Sequence, residues 1–440
     1  MSEDSEHLCA DVLFKSLRQD FEKIPDHRQP GKIKFKLPDV MMAGFAMFSL
    51  KVPSLLQYLD EDRDEAIFQN VQRIYGIEKL PSDTQMRDIL DPVDPKLILP
   101  SFRKIFSEIE RDNGLEQFKV FDNYYLLSID GTGYFSSNTI HCDCCQEKNS
   151  KSGKVTYSHA MLGAAIVCPG LKQVIPIAPE PIIKQDGESK NDCERNAAKR
   201  FLERFRQDHP NLPTIVIEDG LASNAPHLRE LHMRNCRYIL GVKEGDHSFL
   251  FNYVNGEEAK GNVQKIENTS SDGTITRFRF INNVPLNESN PDVKVNFLEY
   301  WQIKGNKTLH FSWVTDLEIK PENTEKIMLC GRARWKIENE EFNTLKNKGY
   351  HFEHNYGHGY KNLSVNLALL IMLAFLIDQA QEICCPLFKM VLLKIKRKKY
   401  LWERFRTFLY CFIIDSYKDL LGAVLNGIKP QLITGHWNTS

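Results

Sequence analysis

The pattern of apolar and polar positions divides the chain into a helical part, a part rich in short strands and a second helical part. Through residues 1–115, apolar side chains recur three or four positions apart, as at Leu13, Leu17 and Phe21, which predicts amphipathic helices. Ser82, followed three residues later by Gln85, is typical of a capping box at a helix start. We therefore expect residues 1–115 to form an N-terminal helical region.

Residues 116–244 change to short apolar runs bounded by Gly, Pro and Asp, which are typical of buried strands. A succession of strands followed by strand and helix in alternation predicts an α/β fold with a mixed sheet. The expected strands are 124–129, 162–167, 173–177, 214–218 and 237–242, and the expected helices are 192–206 and 223–233.

The rest of the chain divides into three more regions. Residues 245–315 show hairpin signals and alternating patterns, which predict a β-rich insertion. Residues 316–380 are expected to complete the core, with a helix over 332–345 and a buried helix over 363–377, and residues 381–440 form a C-terminal helical region. The apolar run 363–377 is short of the ~20 residues that span a bilayer.

Composition and charge narrow the range of functions. The chain has 440 residues, 42% hydrophobic and 26% charged, with a formal net charge of -1, so attraction to a polyanion requires a local basic patch. Residues 389–406 provide one, with eight Lys or Arg against the single Glu403 and with interleaved aromatic rings. The N-terminus lacks the pattern of a secretory signal, which predicts a cytoplasmic protein with reduced thiols.

Three carboxylates are candidates for metal chemistry. Asp130 and Asp219 each follow a predicted strand and precede Gly, and Glu338 follows Arg334 by four residues on a predicted helix. Such residues also occur in Asp-Gly turns and in i, i+4 ion pairs. Ligands of open α/β sheets bind at strand ends, and carboxylates are Mg²⁺ ligands. Asp130 would bridge two ions, with Asp219 on one and Glu338 on the other, for phosphoryl transfer.

Three segments carry a family resemblance: SIDGT at Asp130, IEDGLASN at Asp219 and RARWKIENEEFNTLK at Glu338. Together they resemble the DDE transposases of bacterial insertion sequences, in the group with a β-strand insertion before the catalytic Glu. The resemblance implies an RNase H-like core that cleaves transposon ends and transfers strands into target DNA. It also implies Mg²⁺ or Mn²⁺, in two sites, with Asp130, Asp219 and Glu338 as catalytic and metal-binding residues.

The resemblance extends to contacts with DNA. Arg334 matches a basic residue that contacts the DNA end, and Trp335 stands next to it. The family has a Tyr where this chain has Gly331, and a Lys where it has Leu345, with Lys346 one residue further on. This register leaves Glu341 as an alternative third ligand.

The expected partner is double-stranded DNA, both the inverted transposon ends and the target, bound by a homodimer without membrane association. The N-terminal region is either a module that binds DNA ends or a packing domain. In the C-terminal region, the residues expected to contact DNA are Lys396, Arg397, Lys398 and Lys399. Two other functions stay open: a transposase-derived DNA-binding protein without cleavage, and a metal-dependent nuclease with the same core.

A cysteine-rich segment raises the question of structural zinc. Cys142 and Cys145 have CxxC spacing, with His141 or Cys144 beside them and His159 not far on. Tetrahedral zinc usually needs a second pair at a regular distance, so reduced thiols in a loop are the preferred interpretation. His351, His354 and His358 are expected to be polar loop residues near the Glu338 helix.

Overall fold

The computed structural model describes residues 8–54, 65–183 and 193–427. The extreme ends of the predicted N- and C-terminal regions, together with residues 55–64 and the predicted helix start at Asp192, lie outside the described residues.

The N-terminal region is helical, as predicted. Ser82 and Gln85 form the predicted capping box, with the Gln85 amide donating to Ser82 Oγ, and Pro38 lies in the first turn of its helix. Short 3₁₀ turns at 30–32, 95–97 and 116–118 connect the elements. The helices are α1 (Ala10–Phe21), α2 (Leu37–Ser49), α3 (Glu65–Tyr75), α4 (Asp83–Leu90) and α5 (Pro100–Arg111).

A mixed 12-stranded sheet with helices around it forms the centre of the described chain, which confirms the predicted α/β class. The first strands are β1 (Lys119–Val120), β2 (Tyr124–Ser137), β3 (Gln146–Asn149), β4 (Val155–Val167), β5 (Ile175–Pro176) and β6 (Glu180–Ile182). After them come α6 (Glu194–Asp208), β7 (Thr214–Glu218), α7 (Ala225–Met233) and β8 (Arg237–Gly241). Strands β2, β7 and β8 run parallel to one another, whereas β4 is antiparallel to β2.

Residues 245–315 extend this sheet. They form α8 (Ser248–Ala259), β9 (Gln264–Thr269), β10 (Ile275–Asn287), β11 (Asn290–Lys304) and β12 (Lys307–Thr315). Strand β12 pairs with β8, and the spatial order is β3-β4-β2-β7-β8-β12-β11-β10-β9. The β-rich insertion therefore shares its backbone hydrogen bonds with the core.

Strand β2 corrects one expectation from the sequence. The predicted strand ended at Ile129, with Asp130 and Gly131 in a turn or at the strand end, but β2 continues to Ser137. Asp130 lies opposite Gly163 of β4, and the pairing proceeds past it. The antiparallel partner β4 satisfies the backbone groups that a turn would have left unpaired.

The last part of the chain is helical. It comprises α9 (Thr324–Arg332), a π-helical segment (Ile337–Phe342), α10 (Asn343–Asn347), α11 (Leu363–Cys384), α12 (Pro386–Ile395), α13 (Lys398–Cys411) and α14 (Tyr417–Asn426). Helix α11 is buried along nearly its whole length, as predicted for residues 363–377. By length and composition it is the one described helix able to cross a membrane, but 94% of its apolar window is covered by protein, as in a core helix.

The described N-terminal and C-terminal helices pack together around α11. The ring of Phe14 in α1 meets that of Tyr417 in α14 with centroids 5.4 Å apart. Asn70 of α3 is fully buried and donates to the carbonyl groups of Leu409 and Phe412, at 2.8 and 2.7 Å. The N- and C-terminal helices thus share one core with α11.

Candidate active site

Asp130 and Asp219 are brought side by side by the parallel pairing of β2 with β7. Ser128 pairs with Ile217, and the same offset carried two residues further sets Asp130 beside Asp219. Both carboxylates line one cavity of about 300 Å³. Asp219 follows the last residue of β7, where parallel pairing stops, while β2 continues on its other edge with β4.

Glu338 is linked to Asp130 by the guanidinium of Arg334, which donates a hydrogen bond to each carboxylate. Arg334 Nη1 donates to Asp130 Oδ2 at 3.1 Å and to Glu338 Oε1 at 2.8 Å. The Arg334 side chain is only 13% exposed, so this bridge is largely shielded from water. The i, i+4 ion pair considered from the sequence exists, and it includes a residue from a distant strand.

The segment that carries Arg334 and Glu338 is fixed to the sheet at several points. Ser128 Oγ of β2 donates to the carbonyl of Arg334 at 3.1 Å, and Lys336 Nζ donates to the carbonyl of Leu171. The ring of Phe342 lies against Gly163, where an added Cβ would be 2.6 Å from Cε1 of that ring. Because Gly163 pairs with Asp130, the glycine lets this segment approach the strand beneath the carboxylates.

The electrostatics of the site favour one more positive charge. Burial raises the pKa of the Asp130 carboxyl to about 7, with a further increase from the adjacent Glu338 and an opposing decrease from Arg334. One guanidinium therefore does not fully compensate the two carboxylates. The oxygen donors and the charge deficit together fit a hard divalent cation.

A fourth carboxylate, Glu194, lies at this site and was missed from the sequence. It begins α6, and an added Cβ on Gly131 would meet its Oε1 at 2.2 Å. Burial and then the nearby Asp219 raise the pKa of Glu194. The sequence signal was the Gly after Asp130, which we interpreted as a turn residue and which in fact leaves room for this side chain.

A second cavity, of about 390 Å³, lies on the other side of Asp219 and is lined by Arg334 and Trp335. Trp335 is 48% exposed, and the Arg334 guanidinium lies 4.5 Å from the centroid of its ring. Trp313 occupies the space beside Gly331, where an added Cβ would be 2.4 Å from the indole nitrogen. The Trp313 indole thus fills the volume next to Gly331, the position at which the DDE transposases named above have Tyr.

The alternative third ligand, Glu341, lies elsewhere. Its side chain is fully buried, and neither carboxylate oxygen has a hydrogen-bond partner among the described residues. Leu345 is also buried, while Lys346 pairs with Glu353 at 2.8 Å. Of the two glutamates, Glu338 is the one that contacts the group formed by Asp130 and Arg334.

The basic C-terminal residues do not form one uniform surface. Lys396 and Arg397 lie between α12 and α13, and Lys399 lies in the first turn of α13. All three residues are exposed. Lys398 is instead engaged in an ion pair with the buried Glu382. The three exposed residues are thus the ones free to meet a phosphate backbone.

The histidines and cysteines separate into two groups. His141 is exposed and stacks on Tyr157, with ring centroids 4.4 Å apart, and Cys144 Sγ approaches Asn362 Oδ1 at 3.5 Å. The side chains of Cys142 and Cys145 are instead buried next to those of His159 and His358. His351, His354 and His358 lie in a connection without regular secondary structure, as expected; His351 and His354 are exposed, whereas His358 is buried.

Comparison with known proteins identifies one family. The family model described as "Transposase DDE domain" matches residues 145–376, slightly more than half of the chain. The matched range includes Asp219 and Glu338 and begins after Asp130. No curated protein matches the chain.

Proposed function

Since the chain belongs to the DDE transposases of insertion sequences, we propose that it cleaves DNA at transposon ends and joins them to target DNA by in-line phosphoryl transfer. The observation that carries this proposal is the convergence of Asp130, Asp219 and Glu338, from two parallel strands and a later helical segment, where the parallel pairing of β2 with β7 ends. We assign these three residues the catalytic, metal-binding role.

Two divalent ions, Mg²⁺ or Mn²⁺, suit this donor set. Asp130 would be shared between them, with Asp219 holding one ion and Glu338 the other. When bound, such ions supply a water or hydroxyl nucleophile at neutral pH and compensate charge on the leaving oxygen. The high pKa of Asp130 in the absence of added positive charge supports this assignment.

The protein's own side chains have distinct roles in the proposal. Arg334 holds Asp130 and Glu338 together before substrate binds, and its guanidinium faces the cavity shared with Trp335. A phosphate entering that cavity meets a cation already desolvated and positioned. The exposed face of Trp335 offers a stacking surface for an unpaired base at a DNA end.

Recognition of longer DNA is assigned to more distant basic residues. Lys346 and the exposed Lys396, Arg397 and Lys399 would contact phosphates, whereas Lys398 supports the fold through Glu382. Joining two transposon ends in one reaction requires two active sites, so we propose a homodimer on DNA. Cytoplasmic action on the chromosome is consistent with these partners.

The test is a nicking assay on the DNA that flanks the gene, with Mg²⁺ and Mn²⁺. Loss of an outer-shell partner of a metal ligand typically costs about 10–100-fold in activity, so loss of a ligand itself in Asp130→Ala, Asp219→Ala or Glu338→Ala should reduce cleavage by at least about 100-fold while DNA-end binding is retained. Glu340→Ala is the matched control, because this partly exposed carboxylate lies two residues from Glu338 and its removal should leave cleavage intact.

The alternatives give different results in the same assay. Specific nicking at inverted ends supports transposition, binding without nicking by the wild-type protein indicates a DNA-binding derivative, and unspecific cutting indicates a nuclease. Full activity of Glu338→Ala would contradict its assignment and transfer the role to Glu341.

A further inference from the structure

Four buried side chains from three separate segments converge beside the catalytic strands. Cys142 and Cys145 come from the loop between β2 and β3, His159 comes from β4, and His358 comes from the connection between α10 and α11. One ligand atom from each lies within 4.8 Å of all the others. None of these residues is used in the proposed DNA chemistry.

The distances between these atoms are those of a tetrahedral site. Zn–S bonds of about 2.3 Å and Zn–N bonds of about 2.0–2.1 Å place tetrahedral sulfurs about 3.8 Å apart and sulfur and nitrogen about 3.6 Å apart. The two Sγ atoms are 3.9 Å apart. Cys142 Sγ and Cys145 Sγ lie 3.3 and 3.4 Å from His159 Nε2, and Cys145 Sγ lies 3.3 Å from His358 Nε2.

The surroundings favour a metal over a thiol cluster or a disulfide. The sulfur separation is far longer than an S–S bond of about 2.05 Å. Phe135 and Tyr134 pack against the histidine rings, with centroids 4.3 Å from His358 and 5.7 Å from His159. Two thiolates and two neutral imidazoles balance a divalent charge, which lowers the cost of burying the ion.

We propose that Cys142, Cys145, His159 and His358 bind one structural Zn²⁺. Four protein ligands leave no open position, so the ion has no role as a Lewis acid toward substrate. The site joins the end of β2 and the strand β4 to the chain that follows the Glu338 segment. The sequence pattern offered one ligand pair, Cys142 and Cys145, and no second pair at a regular distance. In this proposal the second pair is His159 and His358. His141 and Cys144 are not ligands.

Neighbouring hydrogen bonds show that the site lies at a junction. The Asp143 amide donates to the carbonyl of Tyr360 at 3.1 Å. Asp91, at the end of α4, accepts amide hydrogen bonds from Tyr360, Lys361 and Leu363 at the start of α11. Zinc would connect the chain after β2, strand β4 and the segment after Glu338, and Asp91 joins the N-terminal helices to that segment by hydrogen bonds.

The first test is elemental analysis of the purified full-length protein, without DNA, so its outcome is independent of the proposed function. We expect about one zinc per chain. Cys145→Ser and His358→Ala should reduce this at least fivefold, whereas the neighbouring controls Cys144→Ser and His141→Ala should keep it. Zinc retained in the first pair, or wild-type protein that neither contains zinc nor binds it on addition, would overturn the proposal.

A second measurement does not depend on the variants folding. In wild-type protein, Cys142 and Cys145 should resist alkylation until a chelator removes the metal, while the exposed Cys193 and Cys411 react at once and serve as internal references. Cobalt substitution should give the absorption of a tetrahedral thiolate site. Equal alkylation of Cys142 and Cys145 with and without chelator, or a Cys142–Cys145 disulfide found by mass spectrometry, would exclude the zinc site.

Discussion

Glu338 and Glu341 are three residues apart, yet their surroundings give them opposite electrostatic roles. Glu338 is partly exposed and accepts from Arg334 beside Asp130. Glu341 is fully buried, and burial raises the pKa of its carboxyl well above the ordinary 4.5. Unlike Asp130, which contacts Arg334, the Glu341 carboxylate has no polar partner among the described residues, so no second donor lies beside it to hold a metal ion.

This difference leads to a prediction for Glu341→Gln. Above about pH 4.5 the unfolded wild-type chain releases the Glu341 proton while the folded chain keeps it, so the free energy of unfolding falls as pH rises. The Glu341→Gln variant has no proton to release at this position, so its free energy of unfolding does not fall with pH for this reason. Its stability relative to wild type should therefore increase with pH above 4.5, by up to about 1.4 kcal/mol per pH unit until the folded-state pKa.

The measurement is urea denaturation of both proteins between pH 5 and pH 8, with cleavage assayed in parallel. Cleavage should stay within about threefold of wild type. A stability difference that does not change with pH would show that Glu341 is ionised in the fold, and loss of cleavage would identify it as a ligand.

Single residues also explain why the match to the family pattern is incomplete. Gly331 stands where the family has Tyr because Trp313, from the neighbouring β12, fills the adjoining space. Leu345 stands where the family has Lys, and it is buried. The sequence pattern shows only that Tyr is absent at position 331, whereas the side chain that fills the space, Trp313, comes from another element.

At the scale of elements, the π-helical segment Ile337–Phe342 sets the position of Glu338. It interrupts the 3.6-residue periodicity from which a continuous helix over 332–345 was predicted, and α9 ends at Arg332 before it. Short π-helical segments within helices are frequent at functional sites. Here the wider turn buries Glu341 and Phe342 while Glu338 stays beside Asp130.

The contact between this segment and the sheet can be tested with Gly163→Ala. The added Cβ would lie 2.6 Å from the Phe342 ring, and overpacking of this kind costs about 1–3 kcal/mol. Because relief requires the segment to move away from β4, we expect cleavage to fall at least about tenfold while DNA binding changes little. Denaturation and nicking assays would measure both effects.

Two further variants complete that experiment. Phe342→Leu combined with Gly163→Ala should restore much of the stability, since the smaller side chain vacates the contact. Gly256→Ala is the control, because nothing lies within 4 Å of its added Cβ in α8. Unchanged cleavage in Gly163→Ala would mean that the position of Glu338 does not depend on this contact.

Sequence patterns predicted some elements well and others poorly, for physical reasons. Strand β7 was predicted at its observed bounds because it is a short apolar run buried on both faces. Strand β2 was predicted too short because local turn propensity at Asp130 carries no information about its partner β4. The proposed zinc site was equally out of reach, since Cys145 and His358 are separated by 213 positions.

At the scale of the whole molecule, DNA binding by the basic C-terminal residues can be tested by salt dependence. Each phosphate contact contributes about 0.9 to the slope of log affinity against log salt concentration. Replacing Lys396, Arg397 and Lys399 by Gln should therefore lower the magnitude of this slope by up to about 2.7. Fluorescence anisotropy with DNA between low and moderate salt would give the value.

Lys398→Gln provides a matched control on the same short stretch. Its partner Glu382 is buried, so this variant should lose stability by about 1–3 kcal/mol with little change in slope. An unchanged slope in the triple variant would exclude these residues from the DNA interface.

The shared core of the two chain ends has a consequence for synthesis of the protein. Phe14 and Asn70 complete their contacts only with residues beyond position 400, which for Asn70 are 339 or more positions later in the chain. The N-terminal helices therefore keep apolar surface exposed until those later residues have been synthesised. A frameshift or stop codon before position 400 should therefore leave this apolar surface uncovered and yield a chain that is degraded.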